Sequence, residues 1–169
     1  MNSGIINTYK PSGPTSHDMV DEIRKITKIK KVGHAGTLDP FAQGILIILV
    51  GKATKLQSKF MNLDKTYIAT LKLGEVSDTY DLTGKKTKIT EKTISKSKIQ
   101  NILKEFIGEI KQIPPIYSAI KIKGKKAYQL ARKGEKPKLK ARKIKIYDIK
   151  LLNYKWPEVK IEVKCNKGT

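Results

Sequence analysis

A chain of 169 residues is long enough for one domain with a real core, and 38% apolar against 30% charged residues keeps that core modest. Thirty-six basic residues against fifteen acidic ones give a formal charge of +21, which attracts polyanions. No run of eighteen apolar residues exists to span a membrane, and the opening MNSGIINTYK lacks a secretory pattern. The lone Cys165 excludes an internal disulfide framework and any multi-cysteine zinc site. A cytoplasmic protein is therefore expected.

Residues 4–10 read as a short strand, and KPSGPTS (10–16) is a Pro/Gly/Ser turn cluster. Ser16 is the expected N-cap of a helix through HDMVDEIRKITK, with Met19, Val20, Ile23 and Ile26 on one face. The Gly-rich stretch GHAGTLDPFAQG (33–44) reads as a loop. It runs into ILIILV (45–50), which is too short for a membrane span and does not alternate, so a strand buried on both faces is expected. Residues 51–63 look helical. KTYIATLKLG (65–74) alternates and predicts a half-buried strand with Tyr67, Ala69, Leu71 and Leu73 on one side.

EVSDTYDLTGK (75–85) predicts a surface loop closed by Gly84. SKSKIQNILKEFIGEI (95–110) predicts a helix capped by Ser95, with Ile99, Ile102, Leu103, Phe106 and Ile107 at helical spacing, ended by Ile113-Pro114-Pro115-Ile116. Residues 117–134 suggest strand, turn and short helix, and 141–154 and 159–165 alternate as strands. The expected fold is α+β, a mixed and mostly antiparallel sheet with flanking helices.

The charge is not spread evenly. Residues 121–150 hold thirteen Lys/Arg against two acids, more than half of the net excess, which favours a phosphate-binding arm over a merely solvated lysine face. A phosphate-loop reading of Gly51-Lys52 fails, because Ala53 stands where Ser or Thr is required. His17, His34 and Cys165 are not at metal-ligand spacing, and no GxSxG nucleophile elbow is present. Asp39 remains, a lone carboxylate in a Gly-rich loop ahead of a buried strand. An Asp-Pro pair starts a turn in which the Asp caps its own backbone. It also places a carboxylate on a stiff loop that a ligand can approach closely.

GHAGTLDPFAQGILIILVGKATKL resembles the signature segment of the TruB family of tRNA pseudouridine synthases, G-H-x-G-x-L-D-P-x-A-x-G, an apolar strand, then G-x-A-T-K. INTYKPSGPTSHD is similar to that family's opening segment, DKTYIATLKLGEVSDTYDLTG to its next block, and IPPIYSAIKIKGKKAYQLARKG to its RNA-gripping insertion. The resemblance implies that Asp39 is the catalytic aspartate, that His34 lies against an extruded nucleotide and that Tyr67 stacks on the target uracil. Lys10, Gly36, Thr37 and Leu38 join them as substrate-binding residues. A basic insertion at about 112–144 would hold the RNA backbone through Lys121, Lys123, Lys125, Lys126, Arg132, Lys133 and Arg142.

The implied reaction converts uridine 55 in the T-loop of tRNA to pseudouridine, with tRNA (its T-arm) as partner and no metal, cofactor or membrane. A monomer is expected. Pseudouridine formation breaks the N1–C1′ bond and re-forms the link through C5, and an ionised carboxylate serves as nucleophile or as base. The alternative is a tRNA-binding or tRNA-folding module that keeps the grip without the chemistry.

The chain departs from the family pattern at its end. After Lys167-Gly168-Thr169 the family runs into a Tyr-Ile-Arg segment, whose arginine pairs with the aspartate, and later into a C-terminal RNA-binding domain. Residues 1–169 are therefore expected to be the N-terminal part of a catalytic domain, completed by a further segment and turning over little by themselves. The final strand is expected to leave an exposed sheet edge.

Overall fold

The computed structural model describes residues 3–116, 121–122, 124–132, 134–135 and 139–169. The chain divides into two compact units, Met1–Leu63 and Asp64–Thr169.

The first unit is a three-stranded antiparallel sheet, order β1-β3-β2, built from β1 (Gly4–Lys10), β2 (Val32–His34) and β3 (Gly44–Val50) with α1 (Ser16–Thr27) against it. The sequence places a loop where β2 forms, because three residues carry too little periodicity to announce a strand. ILIILV becomes the central strand. Leu46, Ile48, Leu49 and Val50 are buried, as expected of a two-sided strand, but Ile45 at the near end is exposed. Val20, Val32, Leu46, Ile48 and Val50 form the core, joined by Met19 and Ile23 from α1.

Helix α1 begins one residue earlier than the sequence suggests. Thr15 is the N-cap: its hydroxyl accepts from the Asp18 N–H, while the Asp18 carboxylate accepts from the Thr15 N–H, a reciprocal box that satisfies two orphan donors. Ser16 is thereby free for other work. The helix expected over 51–63 is a 3-10 segment, Gly51–Leu56, followed by a short α2 (Gln57–Met61). Thr54 Oγ1 donates to the Gly51 carbonyl at 2.8 Å, the kind of local bond that competes with α-helical pairing.

The second unit holds a four-stranded antiparallel sheet, order β4-β11-β10-β7. Its strands are β4 (Lys65–Lys72), β7 (Gly108–Gln112), β10 (Arg142–Lys155) and β11 (Glu158–Cys165). The hairpin of β5 (Glu75–Ser77) and β6 (Lys86–Lys88) and helix α3 (Lys96–Glu105) lie between β4 and β7 in the chain. The small ladder of β8 (Lys121–Ile122) and β9 (Lys125–Lys126), then α4 (Ala127–Arg132), lie between β7 and β10. Ile99 of α3 packs on Val159 and Ile161 of β11 with Leu103, Ile149 and Leu151 around them.

Four expectations need correction here. The final strand, β11, is an inner strand paired with both β4 and β10; the edges are β4 and β7. On the face of β4 expected to be half-buried, Ala69 and Leu73 pack on the second unit's core, while Tyr67 and Leu71 remain 42% and 43% exposed. The helix expected to reach 110 stops at Glu105, because Gly108 at φ +110° turns the chain into β7, so Phe106 and Ile107 stay exposed. The surface loop at 75–85 is part of a hairpin, and Gly84 does close it. A Cβ there would collide with the side-chain oxygens of Ser77, Asp78 and Thr79. All described ladders are antiparallel and helices are few, so the chain is α+β. Among the described residues no helix is long and apolar enough to cross a membrane.

Candidate active site

The Gly-rich segment that follows β2 is strapped down from several sides. Lys10, the last residue of β1, is completely buried. Its ammonium donates to the carbonyls of Pro11 (2.9 Å), Pro40 (3.2 Å) and Ala42 (2.7 Å), which uses all three N–H donors. Gly13 N–H also donates to the Pro40 carbonyl, and Ser12 Oγ to that of Phe41. Ser16, released from capping, accepts from the Leu38 N–H at 2.9 Å and donates to the Leu38 carbonyl at 3.1 Å. The turn cluster 10–16 and the loop around Asp39 are thus one structure.

On the other flank, Ala35 N–H donates to the Ile47 carbonyl, continuing the β2–β3 pairing for one more residue. His34 Nδ1 lies 2.6 Å from the Gly36 carbonyl. A carbonyl only accepts, so Nδ1 carries the hydrogen and Nε2 is left as the acceptor in the neutral ring. Gln57 Nε2 donates to the His34 carbonyl at 2.9 Å. Gly36 sits at φ +148°, a conformation that a side chain at this position would strain.

At the centre is Asp39. Its main-chain oxygen accepts the Ala42 N–H at 3.0 Å, closing the turn. Its side chain is exposed, and among the described residues no hydrogen bond or ion pair engages the carboxylate. Thr37 is exposed beside it, whereas Leu38 packs against the first unit's core. The backbone that carries the carboxylate is therefore held in place by hydrogen bonds and by the packing of Leu38, while the carboxylate itself stays open to a ligand.

The structure brings together Lys10, His34, Gly36, Leu38 and Asp39. It alters the part expected of Lys10, which is buried behind the loop with its donors filled instead of facing a ligand. Sequence reasoning missed Ser12, Ser16 and Gln57. The hydroxyls of KPSGPTS were the available signal for the two serines, and Gln57 offered none.

Tyr67 belongs to the second unit, on β4 opposite Val163. Its ring is 42% exposed, and burial of the remainder raises the phenol above its ordinary value, with the Cys165 sulfur adding to the effect. Of the expected backbone-binding cations, Lys125 is exposed. Lys123 and Lys133 lie outside the described residues, as do the side chains of Lys121, Lys126 and Arg132. Arg142, expected on RNA phosphate, donates through Nη2 to the Gly168 carbonyl, so part of its fork holds the 166–169 backbone. Among the described residues no cluster of three His, Cys, Asp or Glu side chains is placed to hold a metal ion.

Residues 24–169 match the family model described as TruB family pseudouridylate synthase (N terminal domain). The chain is 50% identical over 167 residues to the tRNA pseudouridine synthase B of Clostridium novyi, covering 99% of this chain and 58% of that one. It is 43% identical over 169 residues to the protein of the same name from Thermotoga maritima, covering all of this chain and 55% of the relative. The chain thus spans somewhat over half the length of these relatives.

Among solved structures, a chain of a Cbf5–Nop10–Gar1 complex superimposes with a TM-score of 0.73 at 32% identity, over 99% of this chain and 41% of that one. A chain from an H/ACA RNP bound to a substrate RNA containing 2′-deoxyuridine gives 0.69 at 30% identity, over 98% and 38%. The strapped aspartate loop lies within the region that the family model covers, and on that match the chain belongs to the TruB family of pseudouridylate synthases.

Proposed function

We propose that this chain isomerises uridine 55 in the T-loop of tRNA to pseudouridine, with Asp39 as the reacting carboxylate. The observation that carries this reading is an exposed, unpartnered carboxylate on a loop whose backbone is fixed from both sides. The names of the relatives, tRNA pseudouridine synthase B, support the substrate and the reaction.

The chemistry is redox-neutral and balances without a co-reactant. The N1–C1′ bond breaks, a C5–C1′ bond forms, the C5 hydrogen leaves to solvent and N1 takes up a proton. An ionised carboxylate supplies the nucleophile or the base for these steps, and its exposure keeps it available for either. The target base is unreachable inside a stacked loop, so it is extruded. The family resemblance assigns Tyr67 to stack on the extruded base and His34 to lie against the extruded nucleotide. The basic insertion at about 112–144, with Lys125 and its neighbours, holds the T-arm phosphates.

Tritium release from tRNA labelled with 5-³H-uridine tests the proposal, comparing the chain with Asp39→Asn. Slow release by the parent, which by itself is expected to turn over little, and none by the variant, at equal tRNA affinity, is expected. Release that survives in Asp39→Asn removes Asp39 from the reaction. Affinity without any Asp39-dependent release would mark a tRNA-binding module.

A further inference from the structure

We infer that the exposed face of the β7–β10 edge is a second RNA contact, which takes one unpaired nucleotide with its flanking phosphates. This rests on the proposed RNA substrate and adds a surface outside the aspartate loop, on the sheet at the base of the basic insertion, where Lys143 stands at its end and Lys111, Lys145 and Tyr147 lie beyond it.

Lys143 of β10 lies directly opposite Lys111 of β7, and both are exposed. Like charges facing each other across a ladder cost stability, and no carboxylate relieves this pair among the described residues. The same strand is neutralised elsewhere. Lys150 reaches Glu162 at 3.3 Å and Asp148 at 3.7 Å, and its ammonium is held above its ordinary range by the Glu162 hydrogen bond. The β7–β10 end is thus left positive where the middle of the sheet is balanced.

Beside the lysine pair is a shallow cavity of about 160 Å³, lined by Glu109, Lys143, Lys145, Tyr147 and Asn166 among others. Tyr147 is 39% exposed, and its hydroxyl donates to Asp64 Oδ1 at 3.1 Å, which fixes the ring. The Lys145 ammonium stands 5.5 Å from the ring centroid. The Asn166 side-chain oxygen is taken by the Lys145 N–H and by Thr169 Oγ1, which leaves its amide NH2 as a donor without a partner among the described residues. A fixed aromatic face, amide donors and two unpaired ammoniums within one patch match the needs of a stacked base and its phosphates. Glu109, opposite Lys145, lines the cavity and Asp64 is engaged by the Tyr147 hydroxyl, so against Lys111, Lys143 and Lys145 the balance stays positive.

The test is the salt dependence of tRNA binding by the chain, the double variant Lys111→Gln/Lys143→Gln, Tyr147→Leu and Tyr147→Phe, with thermal unfolding to verify each fold. Two lost phosphate contacts should make the log Kd–log salt slope shallower by about 1.4 to 1.8. Tyr147→Leu should weaken binding, while Tyr147→Phe, which keeps the ring, should not. An unchanged slope in the double variant overturns the inference, as it would if the patch serves an acidic protein instead. Tritium release that still depends on Asp39 in that same preparation would leave the proposed reaction standing. A parent chain that holds no tRNA overturns both.

Discussion

Replacing Lys10 with Met tests whether the aspartate loop is held from beneath. The side chains are close in volume, so the change removes chiefly the three hydrogen bonds to Pro11, Pro40 and Ala42. The Pro40 carbonyl keeps the Gly13 N–H, but those of Pro11 and Ala42 lose the one partner they have among the described residues. Each orphaned carbonyl costs about 1–3 kcal/mol, and a loop this near the surface relaxes toward the lower half of that range. The expected penalty is therefore about 2–4 kcal/mol, concentrated in local opening of the loop. Native-state hydrogen exchange reads this directly at the Ala42 and Gly13 amides, which donate to Asp39 and Pro40. Exchange there should accelerate by about thirty-fold to several-hundred-fold. Tritium release should fall through kcat, because the loop and not the RNA grip is loosened. Unchanged exchange at both amides would show that Lys10 does not hold the loop, whatever its burial.

In His34 the neutral ring should be the Nδ1–H tautomer, since Nδ1 faces the Gly36 carbonyl; ¹⁵N ring shifts of an Nε2–H tautomer would contradict the geometry. The Asp81 carboxyl is raised by burial, but the donors of Thr79, Thr83 and Gly84 outweigh this and hold it below its ordinary value. Its contribution to stability is thus present above about pH 3.9 and lost as pH falls through the lower folded-state value. Acidification should raise exchange at the Thr83 amide before that of the Leu46 and Ile48 amides, and the reverse order would refute the assignment. Ile48→Ala removes a side chain with no exposure from the first unit's core and should cost about 2–5 kcal/mol in urea unfolding, against a negligible change for Ile45→Ala at the exposed end of the same strand.

How much was legible follows from the range of each signal. Strands and helices with several turns of periodicity, such as α1 and β3, were readable because burial selects their residues one by one. The end of α3 was not, because Phe106 and Ile107 continue a helical spacing that Gly108 cuts off. Nor was the place of β11 inside its sheet, since alternation reports burial and says nothing about which strands lie on either side. Alternation likewise puts Tyr67, Ala69, Leu71 and Leu73 on one side of β4 but does not tell that Ala69 and Leu73 are the two that pack into the core.

The aspartate loop shows a different limit. Read locally, KPSGPTS and GHAGTLDPFAQG are two separate turns, and Asp39-Pro40 invites the reading that the Asp side chain caps its own turn. In the folded chain each supplies what the other lacks. Lys10, Ser12, Gly13 and Ser16 meet the carbonyls of residues 38, 40, 41 and 42 across more than twenty residues of sequence. The turn at Asp39 is closed by its main-chain oxygen, so the side chain is not needed to make it. A carboxylate that the loop does not use for its own structure is left available, and the backbone that carries it is in place before any ligand arrives. In the proposed role, Asp39 then has only its own side-chain rotamers to order, and not the loop that carries them.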